Sequence, residues 1–401
     1  MKKLLPLSSA CLAIVLLTGA TTINANDKFA EKILELFPQA DTNGDGTLSS
    51  EEEEAVSRMA MKRNPRADAD GDGVLSDPEK MKLLRQAAAR AKRNAGNGNP
   101  LPNAPTTANT KKAPSFANVK YGPHERNVFD IWLADTTSPA PLAIYIHGGG
   151  FKAGSKEKLP ENELAQLLKS GISVAAINYR YVTTAPLPTP HNDAKLALQF
   201  IRSKAEEWNI DKDRVAAFGG SAGAQISMWL AFSDDMANPN SNNPIEREST
   251  RLTCVATKGG QTTNVLDFWR NRIGQLLGDG QTIESLSRPV GKERDPEKAF
   301  MATWGAKTLE EASENAKRCS ALTLVSADDP PIFMSYGMSP SAKIPNDPKK
   351  VRGWIIHHVL FGIALKEKMD AIKVESHLSY PGADSEHDST VDFLRVKLLE
   401  K

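Results

Sequence analysis

Ser221 sits in FGGSAGA (residues 218–224), flanked by Gly219, Gly220, Ala222 and Gly223. A serine hydroxyl is presented as a nucleophile when a strained turn between a strand and a helix pushes it outward. Such a turn tolerates only small neighbours. The apolar runs RVAAF before it and AGAQISMWLAF after it read as that strand and that helix. Upstream, HGGGF (147–151) closes another apolar run. Attack on a carbonyl puts negative charge on its oxygen, and each backbone N–H aimed at that oxygen is worth about 3 kcal/mol. Consecutive glycines let a backbone approach that closely. Gly149 and Gly150 are therefore the candidate oxyanion donors, with the N–H of Ala222 as a third. His147 reads as a residue that orients this loop, not as a base.

A second chemistry is written near the N-terminus. DTNGDGTLSSEE runs from Asp41 to Glu52, and DADGDGVLSDPE from Asp68 to Glu79. Calcium takes six to eight oxygens, and an EF-hand loop supplies them from positions one, three, five, seven, nine and twelve. Those positions hold Asp41, Asn43, Asp45, Thr47, Ser49 and Glu52, then Asp68, Asp70, Asp72, Val74, Ser76 and Glu79. Gly46 and Gly73 fall where each loop turns sharply, and Leu48 and Leu75 are placed to pair between loops. Two complete loops so close together predict a small all-α EF-hand domain over 27–93 that carries calcium. Extracellular sites of this kind bind weakly, with Kd on the order of 10⁻⁴–10⁻³ M, which suits a loaded structural module better than a sensor.

The elements that position the serine lie beyond a linker. Residues 94–114, NAGNGNPLPNAPTTANTKKAP, are too rich in Asn, Pro, Gly and Thr to bury a core. From 115 to 401, short apolar runs alternate with amphipathic helices, the pattern of a doubly wound, mostly parallel sheet. Strands are predicted at 141–148, 172–180, 214–220, 330–337 and 373–382. Helices are predicted at 157–170, 192–208, 222–232, 358–371 and 389–400.

The 401 residues carry a formal net charge of +1. That balance gives no footing for nucleic acid as a partner. Lys2 and Lys3 followed by LLPLSSACLAIVLLTGA read as an export signal ending near Ala25, too short to span a bilayer comfortably. The expectation is a protein exported to the periplasm or beyond the cell, with no transmembrane segment in its mature chain. In an oxidising compartment Cys254 and Cys319 become a candidate disulfide.

Residues 115–401 resemble an α/β-hydrolase of the esterase and lipase type, hormone-sensitive-lipase-like and feruloyl-esterase-like. The resemblance rests on YIHGGGF (145–151), NYR (178–180), DAKLALQFIRSKAEEWNID (193–211), FGGSAGA (218–224), DDPPIFMSYG (328–337) and LSYPGA (378–383). It implies that Ser221 forms an acyl-enzyme and that the glycine loop is the oxyanion hole. It also implies a catalytic His after the last strand and an acid a few residues past Gly337. The acid arm departs from the pattern, because GMSPSAKIPND holds no Asp before Asp347. His387, in DSEHDS, is the candidate base, with His357 and His358 as rivals. The acid stays open among Asp347, Asp384 and Asp388, or it is lost. Asp328 and Asp329 read as a turn or cap, His191 and Asp193 as a helix start, and His377 as structural. Phe268 and Trp269 are candidates for a pocket wall or for plain core.

The resulting reading is an exported carboxylic ester hydrolase with a calcium module and no cofactor for catalysis. Its substrates are expected among acetyl or feruloyl esters of polysaccharides. The alternative is an inactive hydrolase scaffold serving as a calcium-dependent binding or adhesion protein.

Overall fold

The computed structural model describes residues 112–277 and 295–400, together with Thr47, Ser49 and Ser76. The candidate calcium ligands Asp41, Asn43, Asp45, Glu52, Asp68, Asp70, Asp72, Val74 and Glu79 lie outside the described residues. So do the expected signal at 1–25 and nearly all of the linker at 94–114. Residues 112–277 and 295–400 belong to the unit Lys111–Lys401.

Eight strands form one sheet: β1 (Phe116–Lys120), β2 (Val128–Trp132), β3 (Ala140–Ile146), β4 (Ser173–Ile177), β5 (Ile210–Gly220), β6 (Cys254–Lys258), β7 (Ile332–Ser335) and β8 (Ser376–Ser379). Their spatial order is β1-β2-β4-β3-β5-β6-β7-β8. The β1–β2 and β2–β4 pairs are antiparallel, and every other pair is parallel. Strands covered on both faces must be apolar throughout, and β3 and β4 are buried at every position. That continuous apolarity made them legible. By contrast, β1 is exposed over most of its length, β2 pairs antiparallel with β1 and β4, and β6 is only five residues long; none of the three was predicted.

The longer helices are α1 (Glu161–Lys169), α2 (Thr189–Ser203), α3 (Ala222–Phe232), α4 (Pro296–Trp304), α5 (Leu309–Arg318), α6 (Pro348–Ile356), α7 (Leu360–Ala371) and α8 (Thr390–Leu399). Two cores result. On one face, α1 and α8 pack Leu164, Leu167, Phe393 and Leu394 against Phe218, Ala256 and Phe333. On the other, α2, α3 and α7 pack Leu198, Ile226, Phe361 and Leu365 against Ile144, Val255 and Met334.

The two faces settle the cysteines. Cys254 is buried on the α8 side and Cys319 on the α3 side, so the sheet separates them, and both are free thiols. The expected disulfide does not form. The start of α2 is also earlier than predicted. Helix begins at Thr189, which puts His191 and Asp193 inside it. Asp193 is not a cap: its carboxylate accepts from the backbone N–H of Arg180 at 2.8 Å and from the Arg180 guanidinium at 2.6 Å. Phe268 and Trp269 both lean on Phe361 of α7, and the indole N–H donates to the Thr263 carbonyl at 2.9 Å. They are half-buried packing residues.

Candidate active site

Strand β5 ends at Gly220, and α3 starts at Ala222. Ser221 between them has φ 54° and ψ −118°. A residue with a side chain held there stores strain on the order of 1–3 kcal/mol, and something must hold it. Its N–H donates to the Lys258 carbonyl at 3.0 Å, at the end of β6, and its carbonyl accepts from Gln225 N–H at 3.1 Å. The small residues around it are a packing requirement. A Cβ on Gly219 would stand 2.2 Å from the Ile146 carbonyl oxygen, and one on Gly223 only 2.0 Å from it. The end of β3 therefore lies directly against the turn.

That contact also delivers the glycine loop. A Cβ on Gly148 would lie 3.4 Å from the Cβ of Ser221 and 2.7 Å from the Gly220 carbonyl oxygen. Gly149 (φ 118°) and Gly150 (φ 59°) follow in conformations that favour glycine. The N–H of Ala222, first in its helix, has no acceptor within that helix. The structure thus assembles Ser221, Gly149, Gly150 and Ala222 at one end of the sheet. Donors at such a place stabilise an oxyanion on a carbon attacked by Ser221.

His147 holds the loop, as its sequence position suggested. Its ring stacks on Tyr179 at 4.2 Å, Nδ1 donates to the Gly148 carbonyl at 2.8 Å, and Nε2 accepts from Arg126 at 3.3 Å. Burial, with Arg126 nearby, lowers its pKa to about 4 despite the carbonyl bond that opposes the shift. It stays neutral at ordinary pH. The Tyr179 hydroxyl donates to the His147 carbonyl at 2.8 Å, closing the frame.

The histidines divide differently from the expectation. His387 is buried on the α8 side of the sheet, against Phe393 at 5.1 Å, Phe333 at 6.2 Å and His377 at 4.6 Å. Its Nδ1 meets Asp392 at 3.2 Å. Asp384 and Asp388 are exposed, and so is Asp347 just ahead of α6. Phe333 and His377 are paired in β7 and β8, two positions below the strand ends, and β8 lies three strands from β5. At the usual strand spacing that is about 14 Å. Among the described residues no hydrogen bond joins His387 to Ser221.

His357 approaches the serine turn by way of Gly259; among the described residues no hydrogen bond joins it to Ser221 either. This histidine follows α6, and its Nδ1 lies 2.8 Å from the carbonyl oxygen of Gly259. Gly259 is the residue after Lys258, whose carbonyl holds the Ser221 N–H. Gly259 has φ 54°, and a Cβ there would stand 3.2 Å from His357 Nδ1, so the approach is built on glycine. Gln261 packs against the same ring at 3.3 Å and accepts from Gln225, one turn into α3, at 2.6 Å. The Gly259 carbonyl, which only accepts, lies closer to Nδ1 at 2.8 Å than the Gln261 amide nitrogen, a donor, at 3.3 Å, so the shorter contact puts the proton on Nδ1 and leaves Nε2 as an acceptor. Burial lowers the pKa of His357, and Arg352 adds to the effect. Its neighbour His358 is fully buried, edge-on to Trp354, with Nε2 unpartnered.

Sequence reasoning missed Asp392, Gly259, Gln225 and Gln261. Asp392 had a signal of another kind. It stands three residues after Ser389, whose hydroxyl accepts its N–H at 3.1 Å, the pattern of a helix start.

This sheet order, with a strained serine turn after β5, defines an α/β-hydrolase. The chain belongs to the BD-FAE family, which it matches over residues 129–346. An EF-hand family matches residues 34–52. Among curated proteins the chain is similar to "Probable carboxylic ester hydrolase LipM" of Mycobacterium tuberculosis, 28% identical over 228 residues, which is 56% of this chain and 48% of that protein. It is also similar to "Probable carboxylesterase 2" of Arabidopsis thaliana, 36% identical over 98 residues, 23% of this chain and 31% of that one. The chain thus spans about half or less of the length of these relatives. Among solved structures it resembles a "Truncated form of carbohydrate esterase from gut microbiota", with TM-score 0.54 and 19% identity, covering 74% of this chain and all of that one. That likeness is one of fold.

Proposed function

We propose that the chain is a serine carboxylic ester hydrolase. The observation that carries this reading is the strained Ser221 turn packed against Gly148, which leads into the glycine loop at 149–150. Ser221 Oγ attacks the ester carbonyl, and the N–H groups of Gly149, Gly150 and Ala222 bind the oxyanion. His357 Nε2 takes the hydroxyl proton and returns it to the leaving alcohol. Water then resolves the acyl-enzyme by the same route in reverse. The family and the names of its curated relatives point to the same chemistry.

We assign the base to His357 in place of the expected His387 because the carbonyl that meets its ring belongs to Gly259, next to the Lys258 carbonyl that holds the Ser221 N–H. A catalytic histidine needs its tautomer and ring plane fixed, a task usually done by a carboxylate. The Gly259 carbonyl fixes both here, but it brings no full charge to stabilise the imidazolium. The cost falls on turnover and not on alignment.

The finer parts of the reading rest on sequence. Residues 1–25 support export to the periplasm or beyond. Export and the family together favour acetyl or feruloyl esters of polysaccharides as substrates. The loops at 41–52 and 68–79 are proposed to hold calcium, and the EF-hand match at 34–52 supports the first. The test is hydrolysis of p-nitrophenyl acetate by the full chain, with calcium and with chelator. Ser221→Ala and His357→Ala should each lose about 100-fold or more, in line with removal of a nucleophile or base. His387→Ala should keep the activity. Equal rates for wild type and Ser221→Ala across acetyl, butyryl and feruloyl esters would remove the enzyme reading.

A further inference from the structure

The position of His387 leaves a question that the ester chemistry does not absorb. Two histidines and a glutamate meet on the α8 side of the edge strand. Glu375 immediately precedes β8, His377 lies within it, and His387 comes from the loop that leads into α8. Glu375 and His377 are two residues apart along an extended chain, so they share a face. One ligand atom from each of the three lies within 4.8 Å of the other two.

We infer that Glu375, His377 and His387 form a binding site for a borderline divalent cation such as Zn²⁺. The donor set decides the cation. Two imidazoles and one carboxylate suit zinc or cobalt, whereas calcium and magnesium ask for oxygens. The orientation of the rings is that of a prepared site. His387 Nδ1 faces Asp392 at 3.2 Å, and His377 Nδ1 faces Glu386 at 3.4 Å. Metal-bound histidines are steered in this way, with one ring nitrogen on a carboxylate and the other on the metal. Both Nε2 atoms are then the ligands, and His377 Nε2 already points at Glu375 Oε1 at 2.6 Å. The cation takes the place of the proton between them. Ligands about 2.1 Å from a tetrahedral zinc stand about 3.4 Å apart, so side-chain rotation suffices to close the cluster. Solvent at the exposed Glu375 edge supplies the fourth ligand. The bound ion ties the 381–388 loop to the edge of the sheet, remote from Ser221.

One group opposes the ion. The Lys397 ammonium lies 2.8 Å from Glu375 Oε1 and competes for that oxygen. The competition is itself a test, because Lys397→Met frees the carboxylate.

The experiment is a Zn²⁺ titration of the full chain against a chromophoric chelator, with excess Ca²⁺ present to keep the N-terminal loops out of the readout. A parallel Co²⁺ titration reads the visible absorption of a tetrahedral site. One zinc per chain is expected. Glu375→Gln, His377→Ala and His387→Ala should each weaken it at least tenfold, Asp392→Asn about tenfold, and Lys397→Met should strengthen it. Glu375 is exposed, so its variant keeps the fold and decides the matter if the buried His387→Ala does not. Absence of zinc uptake, or unchanged uptake in Glu375→Gln, overturns the inference.

Discussion

A single methyl group on Gly223 should open the active site. The Cβ of Gly223→Ala would lie 2.0 Å from the Ile146 oxygen, 2.7 Å from the Ile146 carbonyl carbon and 2.8 Å from the His147 oxygen. All three atoms are backbone, so no side-chain rotation relieves the clash. Reaching ordinary contact at 3.4 Å means a separation of about 1.4 Å between the start of α3 and the end of β3. Ser221 and the Ala222 N–H ride on the first of these, and Gly149 and Gly150 ride on the second. Nucleophile and oxyanion donors are therefore pulled apart by the same amount. Misplacement by about 1 Å costs on the order of 100-fold in rate. The overpacking costs about 1–3 kcal/mol of stability, less the gain of roughly 0.5–1 kcal/mol for alanine over glycine in a helix. The assay pairs urea unfolding with kcat/KM for p-nitrophenyl acetate. Gly353→Ala is the control, since nothing lies within 4 Å of its Cβ in α6. It should gain about 0.5–1 kcal/mol and keep its activity. A Gly223→Ala protein with full turnover would refute the argument that this contact sets the oxyanion geometry.

Other consequences are equally direct. Burial lowers the pKa of His357 from 6.5, and a base works when neutral, so the acid limb of kcat/KM should have its midpoint below 6.5; a midpoint above it would contradict the assignment. His191 is buried between Phe151 and Trp229, with both ring nitrogens unpartnered and its pKa pushed down to about 3. A buried polar atom without a partner costs about 1–3 kcal/mol, so His191→Phe should raise Tm, and a fall would show that the ring has an unseen role. His147 adds a pH dependence to stability, because its pKa drops from 6.5 to about 4 on folding. The unfolded chain binds the extra proton, so the contribution, about 3 kcal/mol, is fully present above pH 6.5 and is lost as pH falls toward 4. Urea midpoints that do not decline over that window would contradict it. Cys254 and Cys319 are buried free thiols, and burial raises both pKa values, that of Cys319 to about 12. Iodoacetamide should modify them only in denaturant, and reductant should leave Tm unchanged.

Local patterns made the strained turn at Ser221 legible and left the proposed base, His357, unmarked. The turn at Ser221 and the glycine loop are written in consecutive small residues, and α3 was predicted with its observed bounds because the turn dictates where it starts. The inner strands β3 and β4 were legible from unbroken apolarity; the outer strands β1 and β2 and the short inner strand β6 were not. His357 depends on a carbonyl 98 residues away, and nothing in its own segment marks it except a histidine doublet. His387 looked catalytic because it follows the last strand, yet the ring turns toward the aromatic core beneath α8. Whether a side chain turns up toward the strand ends or down into a core is decided by packing, which linear spacing does not encode.

The proposed chemistry turns on Ser221 as the acylated nucleophile. The most direct measurement is covalent trapping with a fluorophosphonate, followed by intact mass and peptide mapping. The prediction is one adduct per chain, on Ser221, absent from Ser221→Ala and formed far more slowly by His357→Ala than by His387→Ala. No adduct, or an adduct on another residue, would contradict it.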